Sequence, residues 1–413
     1  MGKMTKPSAV FCLIVLFNFL IYSFVIISGV DREYFNVDGA YFTSMPFDFD
    51  YSYETGVVVV FLSLMMCGFG AYLMSGTSAV EHKNSNVNFN FNVKHILNEK
   101  SSRYDTQATL ILLTLILFSL VHFLMIEKSV LWYNLDYQII KTPEDIGNSG
   151  IFFRMYHFLF RIVGIFAAVT MVYYFSTGKF LNFAASFVLF SYSFFLLYVG
   201  ESRWINIYIF VLFFSRYIFF RRKPSFLEII FWLVIFVFLF VKVIVGRNFG
   251  VYGVAVQGEI ISEVASLNWI AVLFGMMINF GDGFLNLANT SVHDFLYSLE
   301  YKVGSFSPFP SVIDGFSEIQ EEEHRISLFV PFNALSEAYS FGAPYFLLLL
   351  FIIFLFLYSS DRVYNLVGLY GRLILVVILF WNVFLMFGYP IRNVMRVFEY
   401  VTLINFIIII RKS

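Results

Sequence analysis

The chain has 413 residues, of which 59% are hydrophobic and 13% charged, with a formal net charge of -1. Soluble domains carry about 25% charged residues, so this chain cannot cover a water-facing surface. That excludes a soluble enzyme and a disordered protein, and without a basic field a nucleic-acid binder is excluded as well.

What remains is a polytopic membrane protein. A bilayer core of about 30 Å takes about 20 apolar residues per helix, and the apolar runs predict ten spans. The first, 8–29, follows Lys3 and Lys6 and carries no small-residue cleavage pattern, so it reads as a retained anchor. Spans at 56–75, 107–126, 153–175, 180–198, 204–220 and 226–245 follow. The segment 246–343 separates them from the last three, at 344–359, 371–388 and 394–410. Within that segment "EVASLNWIAVLFGMMINF" predicts an interfacial or re-entrant helix near 266–288. An eleventh crossing there would put Arg362 and the terminal "RKS" on the wrong side. The expected organisation is linear: 1–245 with seven spans, 246–343 as one large outer loop, and 344–413 with three spans.

Positive charge orients the bundle. With both termini inside, fifteen of the 27 basic residues fall on inner segments, and "RYIFFRRKPS" is the strongest anchor. The outer segment 246–343 holds eleven acids against three basic residues. The fold expected is therefore all-α, a bundle of about ten spans, N-in and C-in, with a large outer loop containing short helices. Cys12 and Cys67 lie in apolar runs and read as core hydrophobes. No Walker loop, zinc spacing or dinucleotide fingerprint appears, so no cofactor or metal is expected.

Twelve basic residues lie outside the inner segments, and eight of them are Arg. Charge within a span is costly and normally faces a cavity or a partner. In "FFRMYHFLFRIVG", Arg154, His157 and Arg161 share one helical face. Arg154 alone reads first as snorkelling to headgroups. In "VGESRWINI", Glu201 and Arg203 form a local pair, or Arg203 points into the bundle mouth. Arg247 follows the seventh span. Arg392 and Arg396, four residues apart in "GYPIRNVMRVFEY", sit on one face of a helix end that meets either lipid phosphate or substrate. Guanidinium forks bind phosphate oxygens bidentately and keep their charge, so this set fits a pyrophosphate site. Candidate bases are His293 in "SVHDFLYSLEYKVGS", His324 in "EEEHRISLF" and Glu337 in "NALSEAYSFGAPYF". Either histidine alone reads first as a surface or structural residue.

At these residues the sequence resembles the Wzy-type O-antigen polymerases, bacterial oligosaccharide-repeat-unit polymerases. The layout carries part of the resemblance: aromatic-rich spans and a dominant outer loop late in the chain. "GESR" is similar to the family's Gly/Ser-Arg turn, although it departs from a plain Gly-Ser-Arg. "EYKVGSFSPFPS" resembles its small-residue and proline segment, and "ALSEAYSFGAPYF" its Glu-x-Tyr-x-x-Phe-Gly segment. The resemblance implies a GT-C-like glycosyltransferase of the bacterial inner membrane, active on the periplasmic side. Its donor and acceptor would be glycans on undecaprenyl pyrophosphate, with a chain-length regulator as a further partner. The residues fit that chemistry on their own: Arg154, Arg161, Arg203, Arg247, Arg392 and Arg396 are candidates to hold the pyrophosphates, and His293, His324 or Glu337 is the candidate base. An O-antigen ligase shares this layout, and a flippase for the same lipid-linked oligosaccharide is the alternative outside the enzymes. A flippase would be expected to show internal repeats, and none is visible.

Overall fold

The structure is a computed structural model that describes residues 6–28, 55–77, 101–126, 128–133, 149–220, 224–291, 296–309, 316–319, 325–327, 330–367 and 369–412. Among the described residues, helices stand at all ten expected spans: α1 (Pro7–Ser28), α2 (Thr55–Thr77), α3 (Ser101–Met125), α5 (Ser149–Thr177), α6 (Phe180–Val199), α7 (Trp204–Phe220), α8 (Phe226–Asn248), α14 (Ala343–Leu366), α15 (Leu369–Gly388) and α16 (Ile391–Lys412). Eight of these are long and apolar enough to cross a membrane, while the apolar parts of α7 and α15 are shorter, at Trp204–Tyr217 and Ile374–Gly388. The remaining helices are α4 (Lys128–Trp132), α9 (Gln257–Ser266), α10 (Trp269–Ser291), α11 (Leu299–Ser305), α12 (Phe316–Ile319) and α13 (Ala334–Ser340). The chain is a helical membrane bundle, in keeping with its composition.

One detail departs from the all-α expectation. β1 (Arg325–Ser327) pairs antiparallel with β2 (Val330–Pro331) in the large loop. β-Branched Ile326 and Val330 favour extended backbone, and Pro331 cannot sit inside a helix.

The helices form two compact units. One comprises residues 1–83 and 269–413, the other 84–268. In the first, α1, α2, α10 and α13 to α16 enclose one apolar core that includes Phe11, Leu64, Phe284, Leu335, Ile353, Val383 and Phe398. Phe19 of α1 stacks on Phe61 of α2 at 3.9 Å, and Phe284 of α10 meets Phe19 edge-on at 5.7 Å. Helix α10 is a single helix of 23 residues, where a segment near 266–288 was expected. Its C-terminal half is buried against the bundle: Gly283 lies directly under the Phe387 ring, where a Cβ would overlap.

This unit also joins distant parts of the chain by polar contacts. Asp361, fully buried in α14, accepts from the Ser8 backbone N–H at 3.0 Å, from Ser8 Oγ at 2.5 Å and from Ser75 Oγ at 3.1 Å. It thereby caps the open N-terminus of α1. Asn405 of α16 donates to Ser359 Oγ and Ser360 Oγ at 3.2 and 3.0 Å. Cys12 and Cys67 are free thiols.

In the second unit, α5 packs closely on α6 and α7. Gly164 lies against the Tyr208 ring and leaves no room for a Cβ. Buried His122 of α3 stacks on Phe160 at 3.8 Å, and its Nδ1 is 3.2 Å from the Tyr192 hydroxyl. That places His122 in the packing of this unit.

Candidate functional site

Each unit holds one group of charged side chains from the expected set. The first is built by the large loop on the start of α16. Ser298 caps α11 by accepting from Tyr301 N at 3.0 Å, which fixes Tyr301 in the first turn. Asn333 caps α13 by accepting from Ser336 N at 2.9 Å, and its Nδ2 donates to Gly283 O at 2.9 Å. Ser336 Oγ donates to Asn286 Oδ1 at 3.1 Å. These contacts fasten α13 to α10 and aim Glu337 inward.

Glu337 is fully buried. Tyr301 OH donates to its Oε1 at 3.0 Å, and the Ile391 backbone N–H donates to its Oε2 at 2.7 Å. The carboxylate thus sits on the N-terminus of α16, where the helix dipole favours negative charge. Arg392, the next residue, is 5% exposed. Its guanidinium donates to the carbonyls of Gly304 and, at 3.0 Å, Phe309, and its Cζ lies 3.9 Å from the Phe316 ring centre. Tyr400 OH adds a bond to Pro308 O at 2.5 Å. Arg396 is half-buried one turn beyond Arg392 on the same face of α16. Gly342 makes the turn from α13 into α14 at φ +100°, a conformation that favours glycine.

The second group surrounds the turn between α6 and α7. Glu201 holds φ +47°, unusual for a residue other than glycine, and is fully buried. The Lys242 ammonium of α8, also fully buried, lies 2.5 Å from Glu201 Oε1 and donates as well to Tyr198 O. Gln257 Nε2 donates to the same carboxylate oxygen at 3.1 Å. Burial pushes the Glu201 carboxyl above its ordinary range, and the Lys242 ammonium pulls against that. Gly246 makes the close approach possible, because a Cβ there would strike the Glu201 carboxyl group.

Three arginines meet this turn. Arg247 Nε donates to Glu201 O at 3.2 Å. The Arg161 guanidinium lies 6.0 Å from the Trp204 ring centre, and its carbonyl accepts from Tyr208 OH at 2.7 Å. Arg203 lies between Glu201 and Trp204 in the turn, with a buried Nε that has no hydrogen-bond partner among the described residues.

The structure therefore gathers Arg161, Arg203 and Arg247 in one unit, and Glu337, Arg392 and Arg396 in the other. Arg154 lies in α5, but its side chain is outside the described residues, as are His293 and His324. Glu201 pairs with Lys242, where a local pair with Arg203 was one of two expectations. The Arg392 fork grips carbonyls of its own loop. Lys242 and Tyr301 were missed. A lone Lys inside "FLFVKVIVGRN" was the available signal for the first, because such a charge needs a buried partner. Tyr301 lies in the quoted "EYKVGSFSPFPS" segment, but nothing in the sequence marked it as a partner of Glu337.

Among the described residues no three His, Cys, Asp or Glu side chains cluster as a metal site. No family model, curated protein or solved structure matches this chain.

Proposed function

We propose that the chain is a glycosyltransferase of the O-antigen polymerase kind, working at the periplasmic face of the bacterial inner membrane. The observation that carries this reading is a convergence. "EYKVGSFSPFPS", "ALSEAYSFGAPYF" and "GYPIRNVMR" are far apart in the sequence. They meet through Tyr301, Glu337 and Ile391, and again through Arg392, Gly304 and Phe309. Two of the three segments also carry the family resemblance.

In the proposed reaction a hydroxyl oxygen of the acceptor sugar bonds to the anomeric carbon of the donor glycan. The bond from that carbon to the pyrophosphate oxygen breaks, and undecaprenyl pyrophosphate leaves with the electron pair. The hydroxyl proton passes to His293 or His324. The leaving group needs positive charge more than an acid. Arg396 offers it in one unit, and Arg154, Arg161, Arg203 and Arg247 offer it in the other, as candidate ligands of the two substrate pyrophosphates. Glu337 and Arg392 act as positioning residues, since both are spent on holding the loop to α16.

The test is a lipopolysaccharide gel from a strain lacking this gene, with and without the gene restored. A single capped repeat in place of the ladder, repaired by complementation, is expected. Loss of even that band overturns polymerisation: lipid-linked polymer outside then identifies a ligase, and single units retained inside identify a flippase. Complementation with Arg203→Lys, Arg247→Lys or Arg396→Lys should shorten or abolish the ladder. Full activity in all three removes the bidentate role.

A further inference from the structure

A second feature lies apart from both groups, wholly within residues 84–268. The C-terminal end of α5, the N-terminal end of α6, the C-terminal end of α7 and the N-terminal end of α8 enclose a cavity of about 600 Å³. That volume lies within the usual range for small-molecule sites. Its wall is aromatic, with Phe175, Phe183, Phe213 and Trp232, and it carries one ion pair. Arg216 Nη1 lies 3.1 Å from Glu228 Oε1, and both side chains are partly exposed, at 53% and 22%.

The local sequence explains the pair. Ser225 caps α8 by accepting from Glu228 N at 3.2 Å. That is the spacing of a capping box, in which the Glu usually turns back to the cap residue. Here Glu228 turns to Arg216 instead and presents both signs of charge to the cavity. Trp232 contributes to the cavity wall from the first turns of α8.

These features specify an occupant. An aromatic cavity open among membrane helices accepts an acyl chain. A rim with one guanidinium and one carboxylate matches a headgroup with one phosphate and one ammonium. A guanidinium fork suits phosphate oxygens, and an ammonium with N–H donors suits the carboxylate. We infer that this cavity is a binding site for a phosphatidylethanolamine-type lipid, with phosphate on Arg216, ammonium on Glu228 and an acyl chain against Phe175, Phe183 and Phe213. The headgroup's two charges neutralise the pair without leaving either partner uncompensated. A phosphatidylglycerol headgroup leaves Glu228 facing a like charge, and a phosphatidylcholine headgroup has no N–H to donate.

The experiment uses the whole chain in nanodiscs with equal mole fractions of the ethanolamine, choline and glycerol phospholipids. Lipid retained after stripping into detergent is counted by native mass spectrometry. The ethanolamine lipid should be enriched about tenfold over the choline lipid, the worth of one charge-assisted hydrogen bond. Glu228→Gln should bring it to the choline level, and Arg216→Gln should lower retention of all three. Equal retention of the three lipids, preference for the glycerol lipid, or undiminished enrichment in Glu228→Gln overturns the assignment. If the variants do not fold, mono- and dimethylated ethanolamine lipids test the unaltered chain. Retention should fall with each N–H replaced, and a flat series overturns the proposal equally.

Discussion

Glu337 and Glu201 are both fully buried carboxylates; a phenol and a helix N–H donate to the first, and an ammonium donates to the second. Glu337 accepts from a phenol and a helix N–H, so its charge is stabilised by dipoles. Glu201 is matched by the buried Lys242 ammonium and sits on strained backbone. Dipoles are lost singly and each loss is modest. Removing one partner of a buried ion pair strands a whole charge. The loop-to-α16 junction should therefore degrade by steps, and the α6–α7 turn should fail at once.

The largest effect belongs to Lys242→Met, which leaves Glu201 buried without its cation. It should destabilise the 84–268 unit by about 3–5 kcal/mol, read as a lower unfolding midpoint in detergent. Adding Glu201→Gln should recover most of the loss. If the double variant is as unstable as the single one, the stranded charge is not the cause. Next comes Gly246→Ala, whose Cβ must displace the pinned Glu201 carboxyl group. A cost of about 1–3 kcal/mol is expected from overpacking, and Gly258→Ala, with open space at its Cβ, serves as the silent control.

On the other side of the comparison, Glu337→Gln keeps the shape but turns one acceptor into a donor facing a donor. A loss of about 1–3 kcal/mol is expected, with faster proteolysis within 296–309 as the local readout. Tyr301→Phe removes a single neutral donor and should cost about 1 kcal/mol. A Tyr301→Phe effect as large as that of Lys242→Met would erase the distinction between the two carboxylates.

The long helices were legible because apolar length is a local property: each stands near its expected run. The grouping of helices was not. Helices α1 and α2 pack with residues after 269 through side-chain fits such as Phe19 on Phe61 and Phe284, and hydrophobicity carries no address. The site was legible by residue type and less so by partner. Arg392 reads as a phosphate ligand because a backbone carbonyl and a phosphate oxygen are the same kind of acceptor to a guanidinium. Glu201 has Arg203 two residues away, but its positive φ and the missing side chain of Gly246 bring it to Lys242 instead.

The cap that Asp361 provides for α1 has a consequence for biogenesis. Ser8 and Asp361 are 353 residues apart, so at about 5–20 residues per second the ribosome needs of the order of half a minute to supply the partner. During that interval the whole of 84–268 is synthesised, while α1 and α2 wait with their shared core face uncovered. Newly made α1 and α2 should thus stay beside the insertion machinery until their partners arrive. Crosslinks from α1 to the insertion machinery should persist until α14 emerges and then disappear together.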